Sequence, residues 1–279
     1  MPTAYADVRP SPLAGRWYPA DPAALRELLD DCLRQADEPA TPGRIVGLLA
    51  PHAGLIYSGP VAAHAYARVR GLTPDVVAVL SPSHHPYPAP LLTTTHDAYQ
   101  TPLGLVPVDR AAVAALGERV KLWPVSRDQE HALEIELPFL QHVLPEPFKL
   151  LPVMMMDQSP EMAQRLALAL ADVLRGRDAL LIASSDLSHF YPQRVAEVLD
   201  AALLARVAAF DPAGVFAVEQ QGKGFACGRG AIAAVMHAAR ALGADTAEVI
   251  YHATSGDTSG DYTRVVGYGA GVFYAHAVS

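Results

Sequence analysis

Cysteine is scarce in this chain of 279 residues, Cys32 and Cys227 being the only two. Two thiols cannot staple a disulfide-dependent fold. Each is either core filler or a reactive or metal-binding group in a reducing compartment. Positive charge is also short, with 21 Lys and Arg against 29 Asp and Glu and a formal net charge of −8. Contact with nucleic-acid phosphates needs a basic surface, so no nucleic-acid partner is expected. No apolar run approaches the roughly 18 residues of a membrane span. The opening MPTAYADVRPSPLAG has no apolar signal-peptide stretch. The expectation is a soluble cytoplasmic protein with no membrane partner. A glycine-rich phosphate loop, a CxxC pair and a GxSxG elbow are missing too, which removes three common catalytic plans.

What the chain does have is core: 51% of its residues are hydrophobic. Short continuous apolar runs at 45–50, 76–80 and 179–184 read as strands buried on both faces, and 150–154 reads as a further strand. Helical patterns alternate with them. Asp21 caps a helix carrying Leu25, Leu28, Leu29 and Leu33, in which Cys32 packs as a small hydrophobe. Further helices are predicted at 61–69, 110–117, 131–143 with a break at Pro138, 159–174, 195–210 and 227–242. Residues 86–97 are turn-rich, 101–109 read as an edge strand or hairpin, and two terminal strands are expected at 247–252 and 265–274. Strands alternating with helices predict an α/β fold with a largely parallel central sheet flanked by helices. No linker or repeat divides the chain, so residues 1–279 form one domain.

The apolar runs end in chemistry. IVGLLA stops at Pro51-His52-Ala53-Gly54, VVAVL at Ser81-Pro82-Ser83-His84-His85, and ALLIASS at Asp186-Leu187-Ser188-His189. Ligands of α/β proteins bind beyond the carboxyl ends of the strands, so these residues could share one pocket. Imidazole together with thiolate makes a transition-metal site. Each residue also has a plainer reading. His52 could bond a turn carbonyl, and adjacent His84 and His85 point to opposite sides, so only one faces the pocket easily. Asp186 and His189, three apart, suit a carboxylate orienting an imidazole, or else a helix cap. Glu130, His131 and Glu134 repeat that spacing, which is common on helix surfaces. Cys227 opens a helix between small residues, where a thiolate is favoured, although a lone cysteine is usually inert. His64, His96, His142, His237, His252 and His276 lack such neighbours, and Met154-Met155-Met156 reads as core.

Taken in order, several motifs carry a resemblance. They are Ala14-Gly15-Arg16-Trp17-Tyr18-Pro19, Pro51-His52-Ala53-Gly54, Pro82-Ser83-His84-His85, Glu130-His131-Ala132-Leu133-Glu134, Ser184-Ser185-Asp186-Leu187-Ser188-His189 and Cys227-Gly228. The chain resembles the Memo family, called AmmeMemoRadiSam system protein B in prokaryotes. The resemblance implies a fold like that of the class III (LigB-type) extradiol dioxygenases. It also implies a mononuclear metal held by His52, His84 and Cys227, with iron the first choice and copper the second. Asp186 and His189 then fall at catalytic positions, and His85, His131 and Glu134 around the ligands. The expected activity is a metal-dependent oxidoreductase acting on an unidentified small molecule or peptide. Two alternatives stand beside it: a non-catalytic module that binds a peptide or anionic ligand or handles metal, and metal-free thiol catalysis by Cys227, His189 and Asp186. By family name alone, AMMECR1-like and radical-SAM proteins are implied as partners.

Overall fold

The computed structural model describes residues 5–36, 41–145 and 147–276. The first half of the chain runs β1 (Val8–Arg9), α1 (Pro22–Gln35), β2 (Gly43–Ala50), α2 (Leu55–Ala67), β3 (Val76–Pro82), β4 (Leu91–Thr94), β5 (Ala98–Thr101), β6 (Gly104–Pro107), α3 (Arg110–Gly117) and β7 (Trp123–Val125). Then come α4 (His131–Glu134), α5 (Leu137–Val143), β8 (Lys149–Met155), α6 (Pro160–Leu174), β9 (Ala179–Ser184), β10 (His189–Tyr191), α7 (Gln193–Ala208) and α8 (Pro212–Gln220). The chain closes with α9 (Arg229–Ala241), β11 (Thr246–Thr254), α10 (Ser255–Ser259) and β12 (Val265–His276).

The four apolar runs become β2, β9, β3 and β8, side by side and parallel in the middle of a nine-stranded sheet. Their side chains alternate between two cores, as a period of two requires. Leu48, Val77, Val79 and Ile182 pack with α1, α2 and α5. Leu49, Val76, Ala78, Leu80, Leu181 and Ala183 pack on the other face with α6, α7 and α9. This is the α/β fold expected, with helices on both faces. Antiparallel strands flank the parallel centre, so the sheet is mixed: β12 pairs β2 and β11, β10 pairs β12, and β4 pairs β8. Only α10 and a short loop join β11 to β12, too little chain for a parallel crossover.

Several elements differ in extent from the sequence expectation. The helix expected from 61 starts at Leu55 and takes in Pro60. The segment 131–143 does break, but before Pro138, which sits in the first turn of α5 where proline is tolerated. β1, β4, β7, β10 and α8 are additional; the strands among them have two to four residues, too few to show a period. Residues 98–107 form the hairpin β5–β6, joined at Gly104, whose φ of 129° favours glycine. Cys32 is buried against α2, close to Gly59, and burial pushes its thiol up to about 11. Among the described residues, no helix is long and apolar enough to cross a membrane.

Register sets up the site. Ala50 lies opposite Ser184, and Leu80 opposite Ala183, so β2, β9 and β3 end at the same level. The Ser185 amide then caps the Ala50 carbonyl at 2.9 Å, and the Ser83 amide reaches Met155 at 3.0 Å. His52, His84 and Asp186 each follow two residues after a strand end. They emerge together at one edge of the sheet.

Candidate metal centre

His52 is buried, and both its ring nitrogens are accounted for. The Ser184 hydroxyl donates to the Ala132 carbonyl, so its oxygen is left to accept His52 Nδ1–H at 2.9 Å. The Nε2 lone pair therefore faces Cys227 Sγ, 3.2 Å away. Burial, followed by the neighbouring His131 and His84, holds the imidazole well below its usual value, so it is neutral. A neutral ring with a fixed tautomer is the form in which histidine binds a metal.

His84 and His131 are arranged by one carboxylate. Glu130 Oε1 accepts His84 Nδ1–H at 2.9 Å and lies 3.2 Å from His131 Nδ1. The same oxygen accepts the His131 and Ala132 amides, each at 2.9 Å, which fixes it at the start of α4. Burial would raise the Glu130 carboxyl, but the bond and charge of His84 and the amide of Ala132 outweigh it and hold the group at about 2. His131 is lowered to about 4 by burial and by its histidine neighbours. Its ring lies between Trp17, 4.5 Å away, and His84, 4.4 Å away. His52, His84 and His131 offer nitrogens all within 4.8 Å of one another, so this three-imidazole cluster could hold a metal ion.

The turn carrying Cys227 is clamped against β9. Gly228 approaches so closely that a Cβ would sit 2.6 Å from the Ser184 carbonyl. The Gly228 amide bonds Ser185 Oγ at 2.9 Å, and Gln158 bridges the Cys227 carbonyl (2.8 Å) and the Gly230 amide (2.9 Å). The flanking glycines thus serve close backbone approach, as the sequence suggested. A thiolate in the metal-free protein is not what this setting favours. Burial, then the Asp186 carboxylate, push the Cys227 thiol up, against the Asp186 amide 3.3 Å from the sulfur. Deprotonating this thiol in the metal-free protein, as thiol catalysis requires, works against that burial.

The remaining sequence candidates separate. Asp186 does not orient His189: its Oδ1 accepts the His52 amide at 2.7 Å, while His189 Nδ1 donates to the Leu187 carbonyl at 2.8 Å. The spacing of three brings side chains together on a helix, but residues 185–188 form a loop entering β10. Burial raises the Asp186 carboxyl to about 7 in spite of the amides of His52 and Ala53. His189 is partly buried, with Phe190 and Phe225 packed edge-on at 5.6 and 5.7 Å. His85 is exposed and lines a small cavity together with Tyr87, Arg127 and Glu130. Glu134 is fully buried and receives bonds from Arg9, Ser11 and Tyr18, so it anchors the N-terminal segment.

Sequence reading gave Glu130 no separate role and passed over Ser184 and Gln158. An acidic residue opening a helix was the only local signal for Glu130. The other two act through contacts more than 50 residues away. His96, His142, His252 and His276 pair with Asp7, Asp30, Asp200 and Asp245, away from the cluster. Beside the cluster, a cleft of about 560 Å³ is lined by Trp17, Tyr18, Ala53, Gly54, Ile56 and Tyr57.

A family model described as "Memo-like protein" matches residues 9–272. A MEMO1 family protein of Methanopyrus kandleri is 38% identical over 274 residues, covering 94% of this chain and 97% of the relative. One of Nitrosopumilus maritimus is 35% identical over 270 residues, covering 94% and 98%. One of Methanothermobacter thermautotrophicus is 37% identical over 273 residues, again covering 94% and 98%.

Proposed function

The chain belongs to the Memo-like protein family, and on that premise we propose a metal-dependent oxidoreductase whose mononuclear transition metal is held by His52, His84 and Cys227. The single observation that carries the reading is the convergence of imidazoles whose Nδ1 atoms are already engaged, beside a thiol. That donor set fits a redox metal of intermediate to soft character, iron first and copper second. Bound there, the metal would supply Lewis acidity and electron transfer to a substrate. The protein's own residues do the rest. Ser184 and Glu130 fix the tautomers of His52 and His84. Asp186 ties the His52 backbone to the end of β9. His189, with its Nδ1–H committed to Leu187, has an Nε2 lone pair that accepts a proton from substrate, as a general base. The cleft beside Trp17 receives an apolar small molecule or peptide side chain.

The test is anaerobic metal analysis of the wild type, His52→Ala and Cys227→Ser. Loss of bound iron or copper in both variants is expected; unchanged near-stoichiometric metal in both would overturn the assignment. A thiol in place of the carboxylate that dioxygenases of this kind use favours a second reading, a metal-handling module without turnover. Dioxygen uptake across a panel of catechols separates the two, since only the enzyme consumes oxygen.

A further inference from the structure

We propose a second binding site, at the opposite edge of the sheet from the metal centre, where Arg68 takes the oxyanion of a small phosphate- or carboxylate-bearing molecule. A cavity of about 430 Å³ opens where β2 and β9 begin, its wall including Thr41, Arg44, Arg68, Thr73, Asp178 and Leu180. β2 and β9 run parallel from this edge towards the histidines. At about 3.3 Å per residue, the step from Ile45 to Ala50 alone separates the two edges by about 17 Å. The two sites share no donor.

Arg68 is what points to an anion. It ends α2, and only 3% of its side chain is exposed. A charge taken that far out of water needs close partners to offset its lost hydration. Arg68 has two, both long: Nη1 donates to Thr41 Oγ1 and Nη2 to Glu248 Oε1, each at 3.2 Å. Its Nε is buried with no acceptor among the described residues. A guanidinium is a planar fork of N–H donors that matches the paired oxygens of a carboxylate or phosphate, and this fork is incompletely answered.

The acid now paired with Arg68 is replaceable. The Glu248 side chain is 41% exposed, and an exposed carboxylate at this distance holds a cation weakly. An oxyanion entering from the cavity takes the guanidinium, and Glu248 turns to solvent. Thr41 accepts from Nη1 and so keeps its own hydroxyl hydrogen for the ligand, while Thr73 adds a second hydroxyl at the wall. The Arg44 guanidinium bonds the Leu242 carbonyl at 2.7 Å, a partner that leaves its positive charge uncompensated. Asp178 is the one acid of the wall. It is exposed, and the bonds that hold it run through its carbonyl to the Asp75 and Val76 amides, which leaves the carboxylate to turn outward.

Calorimetric titration of the full-length protein, dialysed free of metal, measures binding of inorganic phosphate, glycerol 3-phosphate and acetate at constant ionic strength in chloride. Saturable binding is expected. Binding of the two phosphates without acetate identifies the group as a phosphate, acetate alone identifies a carboxylate, and all three show that the oxyanion itself is read. Arg68→Gln should weaken binding about 10- to 100-fold, the worth of one or two charge-assisted bonds. Glu248→Gln removes the internal competitor and should tighten binding about two- to fivefold. The ligand should also raise the melting temperature of Glu248→Gln more than that of the wild type. If Arg68→Gln does not fold, Glu248→Gln decides alone. His84→Ala should bind as the wild type does, which separates this site from the metal centre. No saturable binding, a folded Arg68→Gln that binds as the wild type does, a Glu248→Gln that binds no more tightly, or loss of binding in His84→Ala overturns the inference. The proposed function rests on the other edge of the sheet and stands or falls separately.

Discussion

Glu130 and His84, 46 residues apart in sequence, are joined twice: the carboxylate accepts both the His84 amide and, at 2.9 Å, its Nδ1–H. The ring is thus turned by a residue of another segment, and its free nitrogen is fixed before any ligand arrives. Glu130→Gln keeps the shape and removes the charge. Its affinity for zinc, measured by chelator competition, should fall about 10- to 100-fold. Unchanged affinity would mean that the bond is structural only.

Behind Glu130 lies a buried cation. Arg9 Nε donates to Asp128 at 2.7 Å, and its guanidinium also bonds Glu134 and the Glu130 carbonyl. Arg9→Met strands two buried carboxylates and should cost about 3–5 kcal/mol, read from urea denaturation. A loss below about 1 kcal/mol, the size of an exposed pair, would show that the network relaxes freely.

Gly228→Ala tests the close approach at the cysteine turn. A methyl group there meets the Ser184 carbonyl at 2.6 Å and Ser185 Cβ at 2.8 Å, so the turn must shift. About 1–3 kcal/mol of stability should be lost, and metal affinity with it. Gly117→Ala, where a Cβ meets nothing within 4 Å, is the control and should be neutral or stabilising. Equal effects of the two substitutions would remove the steric argument.

Glu136 gives the fold a pH dependence of known sign. It is buried, accepts the Tyr66 hydroxyl at 2.6 Å, and burial raises its carboxyl from 4.5 to about 8. Between those values the folded protein holds a proton that the unfolded chain releases. Stability from this group is therefore fully present below 4.5 and is lost as the pH rises towards about 8. Glu136→Gln should flatten the pH dependence of the unfolding free energy across that window. A slope identical in the wild type and the variant would remove Glu136 as a source.

How much of this was readable beforehand depended on how local each signal was. The strands β2, β3, β8 and β9 announce themselves because a parallel strand covered on both faces needs an unbroken apolar run. His52, His84 and Asp186 were visible for a related reason, as polar residues placed just where such runs stop. β7 and β10, at the sheet margins, have no comparable pattern. Asp186 and His189 mislead because their spacing presupposes a helical turn, whereas the chain there enters a strand and sends the carboxylate to the His52 amide.

By itself, the sequence determined the α/β class, the central strands, the family and the residues around which a site is built, since periodicity and strand-end chemistry are written within short stretches of chain. Only the tertiary structure decided which of those residues meet. Register between β2, β9 and β3 brought His52 and His84 to one edge, and the Arg9-anchored segment carried Glu130 and His131 to them. Such contacts depend on angstrom-scale placement of segments far apart in the chain, and no local pattern encodes that placement.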